Sequence, residues 1–518
     1  MKLLGKVGVV SAMTGVSRVF GLVREVVMAH FFGTSTLQSA FVIAFRVPNL
    51  FRRLFGEGAL GAAFIPIFTE IERTEGRARA QRFASRILGL LICALGLLVG
   101  VGIAATFGVE RLCGEASRWT EAMPLMRIML PYAVLICVAA ILSAMLQVHE
   151  RFAIPALTPV VLNVVWIAAL VGVCPFLPAE GYWRIGAVSW GILLAGVAQV
   201  LFQLPELRRV GYVLRPTLRG WRASPYVRRV LLQMGPASLG IALAQINICL
   251  DGWLAFYGAS WAPSALEYAD RIIYLPLGLF GTAFATVLLP TYSRQFAEGA
   301  HDQASETLCQ ALRNLLFLMA PMTLGLMLLA EPTVALIYQR GAFTAQSTLW
   351  TARAILAYAP GLLIFSANKV IVPLFYAQKD LRTPVKVASW CILANVTCNV
   401  LSVLLLPEGW RHAGIAASTV LSSLLNTLIL LHLLRRRGTF RPNFAPLLRE
   451  APRVAVAVAA MAALLVAADR LLPAWPLLLR LPLLIALGAA AYALACLALL
   501  PQTARTALAR FERRFRRR

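Results

Sequence analysis

Long apolar runs recur along the whole of this 518-residue chain. A helix that crosses a lipid bilayer needs about 20 consecutive, mainly apolar residues. We therefore expect an all-α, polytopic membrane protein. Runs of about that length or longer predict fourteen membrane-spanning helices, at residues 7–31, 36–70, 83–108, 122–148, 155–177, 184–205, 227–257, 264–296, 306–330, 347–377, 384–406, 411–434, 452–471 and 477–500.

The composition excludes an ordinary soluble protein. Apolar residues make up 59% of the chain and charged residues only 14%, whereas roughly a quarter of a soluble domain is charged. The formal net charge is +26, but the basic residues stand in short clusters between the apolar runs. Nucleic-acid binding would require them on a soluble surface. We expect membrane lipids around this chain and no nucleic acid.

The nine cysteines form no CxxC motif and no cluster with histidine. Most of them lie inside apolar runs, where cysteine packs as a small apolar side chain. Their pattern predicts neither a cysteine-bound metal nor another cofactor.

The second apolar run, 36–70, is too long for one straight span. It contains two prolines and three glycines that weaken the helix: Pro48, Gly56, Gly58, Gly61 and Pro66. A membrane-spanning helix with such residues is expected to bend or to unwind locally.

The loops between the predicted spans differ strongly in basic residues. Loops and span ends on one side carry 33 lysines and arginines, those on the other side carry nine, and seven more lie inside spans. Cytoplasmic loops are the ones enriched in lysine and arginine. This asymmetry predicts that both termini are cytoplasmic, and its regular alternation supports fourteen spans.

An internal repeat relates the two halves of the chain. An offset of 225 residues aligns Arg46 with Arg271 and the sequence LFG at 54–56 with LFG at 279–281. Each copy contains six predicted spans, so the two copies have the same orientation in the membrane. We predict an N-terminal lobe at 1–222, a C-terminal lobe at 223–437, and two further helices with a basic tail at 438–518.

Seven basic residues lie inside predicted spans, where each costs about 2.5–3.5 kcal/mol at a helix centre. Four acidic residues lie there too, which leaves a deficit of three negative charges. Either local pairing and water stabilise the cations, or an anionic substrate does. Arginine forks suit a pyrophosphate, and Arg24, Arg52 and Arg271 come from both lobes. The cations are Arg18, Arg24, Arg46, Arg52, Arg53, Arg271 and Lys369, and the anions are Glu25, Glu57, Asp251 and Asp270.

A second group of polar residues lies in the seventh, eleventh and twelfth spans. Asn395 and Asn399 are four residues apart and share a helix face, and Asp251 and Thr419 supply further oxygens. Such a set suits a monovalent cation. The alternative is that these side chains join neighbouring helices through hydrogen bonds, which is the commoner role of asparagine and threonine in membranes.

Four stretches of the sequence resemble the MurJ (MviN) family. They are SRVFGLVREVVMAHFFG at 17–33, AFVIAFRVPNLFRRLFGEGALGAAFIPIFTE at 40–70, YADRIIYLPLGLFGTAFATVLLP at 268–290 and FYAQKDLRTPVKVA at 375–388. The resemblance extends over essentially the whole chain. It implies a fourteen-helix flippase of the MOP exporter superfamily in the bacterial cytoplasmic membrane. Its substrate would be lipid II, the undecaprenyl-pyrophosphate-linked precursor of peptidoglycan, and cell-wall synthesis proteins are its expected partners.

The resemblance also implies roles for single residues. The essential arginines of the family match Arg18, Arg24, Arg52 and Arg271, while Glu57 and Asp270 match its acidic positions and Arg46 and Arg53 belong to the same motif. The last two helices would hold the polyprenyl tail. Some members have a sodium site matching Asp251, Asn395, Asn399 and Thr419. The chain departs from the family at two positions, with Ser39 and Asn399 standing where many members have aspartate.

Two other classes of protein are compatible with a polytopic chain. The first is a related exporter of drugs or of another lipid-linked oligosaccharide, but a drug antiporter binds cations and needs an excess of carboxylates in its cavity. The second is a membrane enzyme, such as a glycosyltransferase, which needs an acidic base in a sizeable outer loop. The outer loops here are short and carry single glutamates. We expect a transporter and not an enzyme.

Overall fold

The computed structural model describes residues 2–56, 59–114, 118–436, 442–473 and 475–500, and its regular elements in this part of the chain are all helical. The α-helices are α1 (Lys2–Phe32), α2 (Thr36–Phe51), α3 (Ala59–Glu75), α4 (Arg77–Cys113), α5 (Trp119–Met129), α6 (Tyr132–Val148), α7 (Ala153–Gly172), α8 (Trp183–Arg209), α9 (Pro225–Gly258), α10 (Ala262–Pro276), α11 (Thr282–Ala297), α12 (His301–Leu328), α13 (Ala330–Tyr338), α14 (Ala345–Tyr358), α15 (Gly361–Ala377), α16 (Arg382–Leu405), α17 (Glu408–Arg436), α18 (Ala445–Leu471) and α19 (Leu477–Leu499).

Each of the fourteen predicted segments coincides with one helix or with two helices in series. Within the described residues, nine helices are long and apolar enough to cross a membrane, and a tenth span results if α14 and α15 are joined across their 44° bend. The four remaining predicted segments are the first, second, seventh and eighth. In the second and eighth segments, π-helical turns divide the run into helices of 16 and 17 residues and of 15 and 16 residues.

The predicted interruption of the second segment is confirmed, and it recurs in the repeat. The chain leaves α2 through a π-helical turn at Arg52–Gly56, and it leaves α10 through a second π-helical turn at Leu277–Gly281. The two turns are separated by the 225-residue offset found in the sequence. Because π-turns inside helices are rare and often lie at functional positions, this match supports the repeat strongly.

The described structure contains two compact units. The first consists of residues 1–264 together with 340–343, and the second of residues 265–339 together with 344–518. The core of the first unit includes an aromatic cluster in which Trp166 packs edge-on against Phe41 and Phe45, with ring centroids 5.4 and 5.2 Å away. The unit boundary differs from the repeat boundary at 222, because α9 packs against α2 and α3 of the first unit.

The connection between α8 and α9 packs along the first turns of α4. The Thr217 amide donates to the backbone carbonyl of Ser85, and Gly89 approaches the Thr217 backbone so closely that a methyl group there would lie 2.5 Å from its oxygen. Arg86 donates to the carbonyl of Arg219 over 3.1 Å. We call residues 210–224 the linker; these bonds fix it against the helices of its own unit.

Buried polar side chains join this linker to the ends of α3 and α6. The Tyr212 hydroxyl donates to the carboxylate of Glu72, and the His149 ring lies 3.5 Å from the same carboxylate. Burial lowers the pKa of His149, although Glu72 opposes the change, and burial together with Glu72 raises the pKa of Tyr212. Both rings therefore remain uncharged at neutral pH, and Glu72 keeps its hydrogen bond from Tyr212.

The second unit places α18 and α19 beside α12. Arg313 of α12 forms a bidentate ion pair with Glu450 of α18, in which its Nε lies 3.0 Å from the carboxylate. Tyr492 of α19 donates through its hydroxyl to the carbonyl of Phe317 on α12 over 2.7 Å. These bonds attach the two C-terminal helices to the core of this unit.

We expect Gly33→Ala to destabilise the first unit by about 2–4 kcal/mol. Gly33 ends α1 with φ of +54°, and a methyl group there would overlap the carbonyl oxygen of Ala342. A non-glycine residue with this backbone costs about 1 kcal/mol, and overpacking costs a further 1–3 kcal/mol. Thermal unfolding of the detergent-solubilised protein measures the loss.

The matched control for this prediction is Gly76→Ala. Gly76 also has a positive φ, +83°, but no atom lies within 4 Å of a methyl group placed there. The Gly76→Ala variant should therefore lose only the backbone conformational contribution to the free energy of unfolding, about 1 kcal/mol. Equal losses for the two variants would mean that the contact with Ala342 contributes nothing.

Candidate functional site

Arg24 is held inside the first unit by partners on two helices. It lies on α1, is 7% exposed, and forms an ion pair with the neighbouring Glu25. Its Nη1 donates to Oδ1 of Asn163 on α7 over 2.9 Å, and its guanidinium lies 4.2 Å from the ring centroid of Trp166. Its Nε has no hydrogen-bond partner among the described residues. This nitrogen is buried, so it is one donor that the described contacts leave unsatisfied.

Asn163 and Trp166 were not predicted as site residues from the sequence. Asn163 also donates to the carbonyl of Ser17 over 3.4 Å, so it contacts α1 at two levels. Its polar side chain inside an apolar run was the one sequence signal for this role. That signal does not identify the partner helix, which depends on how α1 packs against α7.

Arg18, Arg46 and Arg53 have different surroundings from Arg24. Arg18 is exposed, and Arg53 is half-buried in the π-helical turn. Arg46 donates to the carbonyl of Ile248 over 2.9 Å, and its guanidinium lies against Gly252, which has no side chain to exclude it. Arg46 therefore also joins α2 to α9.

Arg52 opens the π-helical turn that follows α2. Its Nε donates to Oδ1 of Asn49 over 2.8 Å, which orients the guanidinium along its own helix. Pro48 lies within α2 just before this turn and removes one backbone donor there. Glu57, predicted as a site residue, lies outside the described residues.

Arg271 lies on α10 in the second unit, and its side chain is 46% exposed. Its Nη2 lies 2.7 Å from the carboxylate of Glu267, one helical turn earlier. The sequence places Glu267 near a span end, outside the count of intramembrane charges. Its i,i+4 spacing to Arg271 makes it a partner, so the deficit of negative charge is one smaller than the sequence suggested. Asp270 is half-buried beside Arg271 in the chain.

Ser39 contacts its own equivalent in the repeat. Its hydroxyl oxygen lies 2.9 Å from that of Ser264, which is 225 residues later and belongs to the same compact unit. Both side chains are fully buried. Two small hydroxyl groups satisfy each other here, so the missing aspartate of the family leaves no buried charge.

The residues of the predicted cation site are divided between the units. Asp251 lies in the first unit, where Asn247 donates to it over 3.4 Å. In the second unit, Asn395 and Asn399 are fully buried, and the Asn399 amide donates to Oδ1 of Asn395 over 3.0 Å. The Thr419 hydroxyl donates to the carbonyl of Ile415. The asparagines thus bond to each other and Thr419 bonds to its own helix, and the ion site stays a prediction.

The fold is similar to those of two solved transporters. It is similar to a solved structure titled lipid II flippase MurJ in an inward closed conformation, with a TM-score of 0.76 and 24% identity over 94% of this chain and 98% of the other. An inward-facing multidrug transporter of the MATE family, also of the MOP superfamily, gives a TM-score of 0.67 and 16% identity over 83% of this chain and 97% of the other. At these identities the similarities establish the fold.

Sequence comparison establishes the family. The family model described as lipid II flippase MurJ matches residues 28–485. A lipid II flippase MurJ of Burkholderia cenocepacia is 36% identical over 84% of each chain, and a probable one of Rhizobium meliloti is 35% identical over 93% of this chain and 90% of its own. The chain belongs to the MurJ lipid II flippase family, and it is a multi-pass membrane protein.

Proposed function

We propose that this protein moves lipid II from the inner to the outer leaflet of a bacterial cytoplasmic membrane. The observation that carries the proposal is the position of Arg24, Arg52 and Arg271. All three match family arginines, and all three lie within predicted spans. The relatives named lipid II flippase supply the substrate class.

In the proposed mechanism the arginines bind the pyrophosphate from the inner leaflet. Each of them is now held by a neighbour in its own helix: Glu25 for Arg24, Asn49 for Arg52 and Glu267 for Arg271. A pyrophosphate with several anionic oxygens competes with these acceptors, because bidentate bonds between arginine and phosphate are strong. When the arginines exchange these acceptors for the pyrophosphate, they neutralise the negative charge of the substrate. When the site is empty, the arginines return to the same acceptors.

Alternating access completes the transport cycle. The two repeat halves rock so that the headgroup site opens outward, while the polyprenyl tail stays in lipid beside α18 and α19. Those helices present exposed apolar side chains such as Leu478 and Leu494, which are 70% and 67% exposed. An inside-negative potential favours return of the empty cationic site, by about 2.3 kcal/mol per charge moved through 100 mV.

The remaining features of the proposal concern orientation and coupling. Both termini lie in the cytoplasm, as the basic loops indicate. Sodium at Asp251, Asn395, Asn399 and Thr419 is the proposed coupling ion, and proteins of cell-wall synthesis are the proposed partners. The family is one of transporters, and this chain acts without catalysing a reaction.

A leaflet-accessibility assay tests the proposed function. In a bacterium whose growth depends on this chain alone, depletion should leave lipid II in the inner leaflet, where an external probe that modifies it has no access. Restored expression of the chain should restore access. Access that persists after complete depletion, with precursor synthesis intact, would contradict the proposal.

A further inference from the structure

An open cavity of about 510 Å³ lies where the linker enters α9. Three arginines line it: Arg222 from the linker, and Arg228 and Arg229 from the first turns of α9. Ser224 and Leu232 also contribute to its wall. All five residues belong to the first compact unit.

The charge of this cavity is positive. Arg229 pairs with Glu70 of α3 over 2.9 Å, in a pair whose two side chains are about half exposed. Arg222 lies 5.4 Å from the ring of Trp221, and Arg228 is exposed. Among the described residues, Glu70 is the one carboxylate that pairs with these three arginines. An anion in the cavity would therefore meet a net charge of about +2.

A buried hydroxyl group lines the same cavity. Ser224 is 7% exposed and precedes α9, but its side chain makes no capping hydrogen bond to the first turn of the helix. Pro225 follows, so the next amides along the chain are those of Tyr226 and Val227. The hydroxyl group and the uncapped amides of this 34-residue helix both favour a bound anion.

Apolar side chains of α9 lie directly beside the arginines that line the cavity. Leu232 is four residues after Arg228, so the two side chains share one face of α9 about one helical turn apart. Leu232 is 66% exposed and the adjacent Leu231 is 43% exposed. A soluble anion gains nothing from such leucines. A phospholipid places its phosphate group beside the arginines and the start of its acyl chains beside the leucines.

We propose that this cavity is a binding site for the phosphate group of an anionic phospholipid. Arg222 and Arg228 bind the phosphate oxygens, Ser224 donates a hydrogen bond to them, and Leu231 and Leu232 contact the acyl chains. The bound lipid joins the linker to α9. This site is separate from Arg24, Arg52 and Arg271, and the inference does not depend on which substrate is transported.

The test measures binding of phosphatidylglycerol to the full-length protein in detergent by native mass spectrometry. The variant is R222Q/R228Q, which retains the pair between Arg229 and Glu70. Two lost contacts between arginine and an anionic lipid should weaken binding about thirtyfold. The matched control R73Q/R82Q removes the same charge from exposed positions on α3 and α4 and should bind normally. Thermal unfolding of both variants verifies that they fold.

Two further ligands identify the source of the phosphate. Phosphatidylcholine, which carries no net charge, should bind weakly and equally to all variants. Inorganic phosphate at the same concentration should not displace phosphatidylglycerol. Equal weakening by the two double variants, unchanged binding to R222Q/R228Q, or displacement by inorganic phosphate would each overturn the proposal.

Discussion

Replacement of Arg24 by alanine is expected to abolish export of lipid II while the protein still reaches the membrane. A bidentate bond between arginine and phosphate contributes about 3 kcal/mol, so its loss corresponds to roughly a hundredfold weaker headgroup binding. Arg24→Lys keeps the charge but loses the planar fork, and it should retain only partial activity. Complementation of a depleted strain and the leaflet-accessibility assay measure the loss.

The single variant also breaks the buried ion pair between Arg24 and Glu25, and breaking a buried pair by itself destabilises a protein by about 3–5 kcal/mol. The double variant Arg24→Gln with Glu25→Gln removes this difficulty, because it replaces the ion pair by neutral side chains of similar volume. It should fold and remain inactive. Export at the wild-type rate by the folded double variant would exclude a role of Arg24 in binding the headgroup.

A matched control for Arg24 exists in the same unit. Arg127 is also ion-paired, to Glu110, and its guanidinium lies 3.9 Å from the ring centroid of Phe107. Arg127→Ala thus removes the same kinds of contact at a position that the family resemblance does not mark. We expect it to reduce stability and to leave export per folded molecule unchanged.

The order of the helices was predictable from the sequence because it depends on local composition. Apolar length fixed the fourteen segments, and Pro48 together with nearby glycines indicated the interruption that became a π-helical turn. The second turn, at 277–281, was not predicted, although it lies at the repeat offset of 225 residues. Helix lengths and helix breaks depend on neighbours along the chain. They can therefore be predicted without knowledge of how the helices pack.

The partners of the charged residues were less predictable. Adjacent helical residues point about 100° apart, so Glu25 is not an expected partner of Arg24. The pair forms because Arg24 is long and because Asn163, 139 residues away, orients its other end. Such an arrangement depends on how α1 and α7 meet. The linker that packs against α4 was missed for the same reason, since its bonds are mostly to backbone atoms.

Arg271→Ala provides a cleaner test of the headgroup site than Arg24→Ala. The side chain of Arg271 is 46% exposed, and it pairs with Glu267 at i,i+4 spacing. An exposed pair of this kind contributes only about 0.3–0.5 kcal/mol to stability. The variant should therefore unfold at nearly the wild-type temperature, and any large loss of export reports on function. We expect export to fall at least about tenfold, because one contact to the pyrophosphate is lost.

Two controls separate the arginine from its ion pair. Glu267→Gln removes the pair but keeps Arg271, so export should continue. Arg294→Ala removes an arginine from another exposed i,i+4 pair of the second unit, with Glu298 at 3.9 Å, and should also have no effect on export. If Glu267→Gln lowered export as much as Arg271→Ala, the pair rather than the cation would be the functional element.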